Sequence, residues 1–232
     1  MDRKLTVFLP CRAGSERIPQ KNIKPFGGFP YGLFEIKLNQ LLSIPSVNKI
    51  VVSTNDSSVI DYIKNTNHTK VQPDIRPESL CTSQTTTDEL IRYVPTIIDS
   101  EHILWTHVTS PMCDAPVYEE AIHAYFDGLE KKYDSLMSVN VVQKFLFRED
   151  FSAVNFDRSV ELWPRTQTLK PVYEANSALF ISSLHNYLRY NDRIGRVPLF
   201  FELNQFQSFD IDREEDFIIG EMIWSKLHIP HG

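Results

Sequence analysis

The residues best suited to chemistry sit near the two ends of the chain. Between Leu9 and Lys24 the cations Arg12, Arg17, Lys21 and Lys24 stand against one acid, Glu16. Gly14, Ser15, Pro19 and Asn22 are interspersed and keep the stretch out of regular structure. A cationic turn of this kind can hold phosphates, because backbone N–H groups converge on the anion while Arg and Lys supply charge. It follows an apolar run, Leu5 to Leu9, which reads as a buried first strand. Open α/β sheets bind ligands just beyond such strands. The same charges would also suit a solvated basic loop. Neither common phosphate motif is present. Gly14 lacks the partner that G-x-x-x-x-G-K-[ST] needs, and Gly27, Gly28 and Gly32 are wrongly spaced for G-x-G-x-x-G.

Near the other end, Asp210 and Asp212 lie two residues apart in extended backbone ahead of a helix. Mg²⁺ suits such a pair, since it takes one or two carboxylates and completes its octahedron with phosphate oxygens and water. Asp212 and Glu215 also suit a helix cap with an acidic first turn, which any helix would favour.

These ends must be positioned by a fold. The chain of 232 residues is 42% apolar and carries a net charge of −6, enough to bury the core of one α/β domain over residues 1–232. Apolar periodicity predicts a helix over Tyr31–Ser43, a strand over Lys49–Ser53 and a helix capped near Asp56 that runs to about Lys64. A further helix is expected from near Asp88 to about Asp99, kinked or cut short by Pro95. Thr86 with Glu89 forms a capping box at its start. A strand over Ile103–Val108, a helix over Pro116–Leu129 and a strand over Asp134–Asn140 follow. This alternation implies a three-layer, mostly parallel sheet with right-handed crossovers. From 141 to 163 the pattern is irregular and aromatic (Phe145, Phe147, Phe151, Phe156, Trp163), the composition of an interface or of a packed hairpin.

Composition excludes several classes. The acidic balance argues against a general nucleic-acid binder. No apolar run is long enough to span a bilayer, and Met-Asp-Arg-Lys lacks a signal-peptide core, so no membrane association is expected. Cys11, Cys81 and Cys113 form no C-x-x-C pair, and reduced thiols in a cytoplasmic protein are expected. The histidines have no zinc-ligand spacing.

Leu9-Pro-Cys-Arg-Ala-Gly-Ser-Glu-Arg-Ile-Pro-Gln-Lys-Asn22 resembles the opening motif of the acylneuraminate cytidylyltransferases, R-x-G-S-x-x-(L/I)-x-x-K-N, which make CMP-sialic acids and CMP-activated relatives. Further similarities recur in family order down to residue 221. Arg76-Pro77 through Thr85 and Thr87 resembles the segment that binds the cytosine and ribose of CTP. Thr109-Ser-Pro-Met112 resembles the turn at the sheet's edge, with His107 where the family usually has Gln. Arg165 matches an Arg that contacts the sugar acid, and Asn176 an Asn before a strand. Ser208-Phe-Asp-Ile-Asp212 resembles the family's closing metal motif.

The resemblance implies a single Rossmann-like nucleotidyltransferase domain that couples CTP to a nonulosonic α-keto sugar acid and releases pyrophosphate. It implies that Arg12, Gly14, Ser15, Lys21, Asn22, Arg76, Thr85 and Thr87 hold the nucleotide. Arg12, Lys21, Asp210 and Asp212 would serve catalysis, with both aspartates on Mg²⁺ (or Mn²⁺). His107, Arg165, Glu174 and Asn176 would face the sugar, and residues 141–163 would project as an arm that makes a homodimer. Ser177 replaces a common Gly, and Glu174 stands where sialic-acid enzymes often carry Arg, which points to an acceptor other than ordinary sialic acid. A metal-dependent glycosyltransferase or a non-catalytic nucleotide-binding relative would share the broad pattern. The former places its Asp-x-Asp in mid-chain.

Overall fold

The computed structural model describes residues 4–228. The apolar run after the N-terminus forms β1 (Leu5–Pro10), whose first five residues are buried, as expected of a central strand covered on both faces. It pairs in parallel with β2 (Lys49–Thr54) on one side and β4 (His102–Thr106) on the other. The outer strand β3 (Val71–Ile75) pairs with β2 and carries Pro73, which lacks the N–H that a central position would need. Beyond β4 lie β6 (Val172–Ser183), β5 (Ser135–Val142) and β7 (Pro198–Glu202), giving the order β3-β2-β1-β4-β6-β5-β7. Only β6 runs against its neighbours, so the seven-stranded sheet is mostly parallel.

Helices α1 (Gly32–Leu42), α2 (Ser57–Thr66), α3 (Thr87–Ile97), α4 (Ala115–Glu130), α5 (Leu184–Tyr190) and α6 (Glu214–Leu227) cover the sheet. One buried cluster joins β1, α1 and α4 with Phe217 and Trp224 of α6. A second packs Phe8, Trp105 and Phe180 of the sheet against Ile91 and Val94 of α3 and Tyr187 of α5. Helix, sheet and helix form the three layers expected from the sequence.

Local differences from the sequence reading have simple causes. Helix α3 passes through Pro95 and ends two residues later, because a proline in the last turn sacrifices one bond before the helix would stop anyway. Strand β4 ends at Thr106 rather than Val108, which leaves His107 just outside the ladder. Between β5 and β6 the register shifts after Met137, and Ser138 binds both the N–H and C=O of Leu179. Such a bulge re-aims side chains, and Asn176 and Ser177 fall in it.

The basic loop is held by its contact with α1. The Phe34 amide donates to the Asn22 carbonyl at 2.8 Å. Gly32, at φ +50°, lets the helix start against the loop, since a Cβ there would lie 1.9 Å from the Lys24 carbonyl oxygen.

Candidate active site

The elbow after β1 and the acids before α6 meet in space. Arg17 grips Asp212 with both terminal nitrogens, each at 3.2 Å. Lys21, buried, donates from Nζ to the Ile211 carbonyl at 2.8 Å and to Asp212 Oδ1 at 3.3 Å. Lys24 pairs with Glu214 at 2.7 Å. The acid loop is fixed from its other side by the Ile211 amide, which donates to the Thr109 carbonyl at 2.9 Å. The turn after β4 thus holds the acids in place.

That turn has its own anchor. Lys37 of α1 is fully buried, and its Nζ donates to the carbonyls of Ser110 (2.9 Å) and Cys113 (2.7 Å) and to the Tyr118 hydroxyl (2.9 Å). Burial lowers its pKa to about 8. No motif in the sequence marks this lysine; only its place among the apolar residues of α1 could have drawn notice.

Arg12, Ser15, Lys21, Asn22, Arg76, His107 and Thr109 line a single cavity of about 390 Å³ with the loop residues Glu16 and Arg17. Arg12 folds over the loop and donates to the Gly14 carbonyl at 3.0 Å, where Gly14 takes φ +75°. Asn22 donates to the Arg12 carbonyl at 3.0 Å and fixes the elbow's shape. Arg76 is buried, and its guanidinium is committed to Ser53, through Oγ at 3.0 Å and the carbonyl at 2.6 Å. Thr85 makes only local contacts, with the Thr82 hydroxyl at 3.1 Å and the Ser79 carbonyl at 3.4 Å. Ser83 and Leu90, which no motif marked, complete the wall.

Asp210 and Asp212 differ in their surroundings. Asp212 is partly exposed and already paired. Asp210 is half-buried, and its Oδ1 is a buried oxygen without a hydrogen-bond partner. Burial raises its pKa, the Thr109 hydroxyl lowers it in part, and the negative Asp212 raises it further. A carboxylate oxygen buried without a proton donor calls for a cation. The pair therefore fits a divalent ion, though among the described residues no cluster of three or more acidic, His or Cys ligands exists.

His107 Nε2 accepts from the buried Trp105 indole N–H at 2.9 Å. Burial, then the charges of Arg193, Lys21 and Arg76, pushes its pKa down to about 3. The ring is neutral at pH 7, and the occupied Nε2 places its proton on Nδ1.

The other residues matched to the sugar do not share one pocket. Asn176 lines a cavity of about 290 Å³ with Ser177, Phe180 and Arg193, and Thr87, expected to hold the nucleotide, lines this cavity rather than the first. Asn176 is buried and bonded to Ser138 and Asn140. Glu174 accepts from Asn140 at 3.2 Å and lines a separate groove with Lys144 and Glu202. Arg165 is exposed and lies outside all three. Helix α3 walls both the first and the second cavity, Leu90 facing the former and Thr87 with Ile91 the latter.

Known proteins resemble the chain over nearly its whole length. An N-acylneuraminate cytidylyltransferase of Streptococcus agalactiae is 26% identical over 95% of this chain, which spans about half (54%) of that relative's length. A pseudaminic acid cytidylyltransferase of Campylobacter jejuni is 21% identical over 97% of this chain and 98% of its own. The fold resembles a CMP:2-keto-3-deoxy-manno-octonic acid synthetase solved with CTP, at TM-score 0.69 and 13% identity over 97% of this chain and 99% of that one. Residues 6–216 match the cytidylyltransferase family, and the chain belongs to it.

Proposed function

We propose that the protein transfers the cytidylyl group of CTP to the anomeric hydroxyl of an α-keto sugar acid. The anomeric oxygen bonds to the α-phosphorus, the bond from that phosphorus to the bridging oxygen breaks, and pyrophosphate leaves with the electron pair. The hydroxyl proton passes to water. The observation that carries this reading is the meeting of Arg17 and Lys21 with Asp212 beside the unsatisfied Asp210.

Phosphoryl transfer asks for positioning and charge neutralisation more than covalent help. Arg12 and Lys21 hold the triphosphate, and Asn22 keeps the elbow shaped for it. Arg76 and Ser83 bound the pocket for the base and ribose. Asp210 and Asp212 would hold Mg²⁺, which when bound neutralises phosphate charge and acidifies the anomeric hydroxyl. Neutral His107 offers its Nδ1–H to an acceptor oxygen. Sialic, pseudaminic and 2-keto-3-deoxy-manno-octonic acids, which the relatives' names carry, are the candidate acceptors to try.

We also assign the aromatic stretch 141–163 to an interface between two copies. Phe147 and Phe151 stack at 5.1 Å, and Arg158 lies 5.1 Å from the Phe151 ring, yet Phe151 and Trp163 remain 67% and 61% exposed. So much exposed aromatic surface is the composition of an interface core. Light scattering should then give a dimer that Phe151→Ser with Trp163→Ser converts to monomer. Buried free cysteines and the use of CTP fit a cytoplasmic enzyme.

The test of the reaction is direct. The protein is incubated with CTP, Mg²⁺ and each of the three acids, and pyrophosphate is scored. Release with at least one acid is expected. CTP binding without turnover on any would leave a non-catalytic relative, and transfer from a sugar nucleotide would point to a glycosyltransferase.

A further inference from the structure

Most cations around the first cavity already have protein partners. Arg17, Lys21 and Lys24 bind acids, and Arg76 binds Ser53. Arg193, which lines the neighbouring cavity, does not follow this pattern. Its guanidinium lies 3.7 Å from the Phe180 ring centroid and 5.1 Å from that of Trp105. Among the described residues it has no hydrogen bond and no carboxylate partner, and its nitrogens are not sealed off but border the cavity shared with Thr87 and Asn176. A guanidinium held over aromatic rings keeps its planar fork of N–H donors, the geometry that takes a carboxylate bidentately.

The loop that carries it is clamped. Asp134 accepts from the amides of Arg196 (2.6 Å) and Val197 (3.0 Å), and the Ser135 hydroxyl from that of Gly195 (2.8 Å). A side chain on so fixed a loop is preorganised, which cuts the entropic cost of gripping a ligand. Two acids, Asp88 and Asp192, line the same cavity, and the charge of Asp192 bears on Arg193, but neither carboxylate pairs with it. Asp192 turns back to accept from the Ile194 amide at 3.2 Å, and Asp88 is exposed in the first turn of α3.

Arg193 also stands at the right end of the site. The Trp105 ring beneath it donates to His107, and Arg193, Lys21 and Asp212 all bear electrostatically on His107. His107 thus feels the charges of both Asp212 and Arg193, and Trp105 touches both His107 and Arg193. The acid group of an α-keto sugar acid hangs directly on the anomeric carbon, so its receptor must stand close to the reacting hydroxyl.

We propose that Arg193 is the residue that grips the acceptor's carboxylate and makes the enzyme selective for sugar acids. This rests on the cytidylyl-transfer reading above. The experiment compares wild type with Arg193→Gln, Arg193→Lys and Arg165→Gln, using N-acetylneuraminic, pseudaminic and 2-keto-3-deoxy-manno-octonic acids and the C1 carboxamide of each. Pyrophosphate release gives KM for acid and for CTP, and titration calorimetry gives acid binding independently of turnover.

The expected result is a roughly 30-fold or greater rise in acid KM for Arg193→Gln, with CTP KM unchanged and the preference for acid over carboxamide lost. Arg193→Lys keeps charge without the fork and should fall between. Equal acid KM and equal preference in wild type and Arg193→Gln, or loss of preference only in Arg165→Gln, would overturn the proposal and leave the reaction intact. Binding of an acid that depends on Arg193 without any turnover would instead remove the reaction and keep the receptor. No binding of any acid to wild type would remove both.

Discussion

The two halves of the site are built on different terms. On the side of β1, β2 and β4, nearly every charged group is committed within the protein: Arg17 and Lys21 to Asp212, Arg76 to Ser53, Lys37 to the turn after β4. On the side of β5, β6 and β7, Arg193 and Arg165 have no acidic partner among the described residues, and Glu174 has only Asn140. A triphosphate is the same in every reaction of this kind, so its receptor can be rigid. In the reaction proposed, the acceptor is what differs between relatives, and its receptor would consist of groups that wait for it. Asp210 is the exception on the committed side, since its buried Oδ1 is unpaired.

That exception supplies the sharpest way to break the comparison. Asp210→Asn removes a partly buried charge while keeping the shape. Activity should fall by about 10²–10³-fold, the loss typical of removing one preorganised electrostatic group. Stability without ligands should rise, by about 1 kcal/mol or 2–4 °C in Tm, because a charge only partly offset by Thr109 and Lys21 no longer has to be desolvated. Thermal melts of the two proteins without metal decide it. A variant that loses both activity and stability would mean Asp210 is a structural residue, and the contrast between the halves would be gone.

Lys37 tests the committed side in the opposite sense. Lys37→Met keeps the apolar stem but strips a donor from two carbonyls and a hydroxyl in the interior. Breaking such a buried arrangement by removing one partner costs about 3 kcal/mol, or about 6–12 °C in Tm. Because the turn it anchors holds the Ile211 amide, activity should fall at temperatures where the variant is still folded. CTP affinity should weaken with it, since Lys21 binds the Ile211 carbonyl. Full activity per folded molecule would show that the acid loop does not depend on this turn.

The difference between halves also explains what the sequence reveals. Nucleotide-side residues cluster in short continuous stretches, Arg12 to Lys24 and Asp210 to Asp212, so charge, spacing and family resemblance all act on the same few residues. The parallel core was legible for a similar reason: β1, β2 and β4 are apolar runs bounded by turn residues. Strand β3 was not, since Gln72, Pro73 and Asp74 read as loop, and only its place at the sheet's edge allows the proline. The acceptor side draws on α3, the β5–β6 bulge and the loop after α5, which no local pattern joins. Glu174 and Asn176 are two apart in sequence yet line different cavities, because a register shift separates them. Arg193 carries no motif at all. Its significance lies in Phe180 and Trp105 beneath it, which is information about packing.

The smallest expected effect concerns His107, at the boundary between the halves. Its pKa in the folded protein is about 3, against an ordinary value near 6.5. Between those values the unfolded chain takes a proton that the folded ring refuses, so this residue withdraws stability as pH falls from about 6.5 and its penalty is complete near pH 3. His107→Gln can still accept from Trp105 and should change stability little at pH 7. At pH 5 the variant should gain on wild type by about 1 kcal/mol, below the limit of about 1.4 kcal/mol per pH unit because the ring borders an open cavity. Urea melts of both proteins at pH 7 and pH 5 isolate the effect, since the other titrating groups cancel in the difference. A constant difference across that range would mean that the folded ring takes up its proton at the ordinary pKa, and the burial held to keep it neutral at the boundary would not operate.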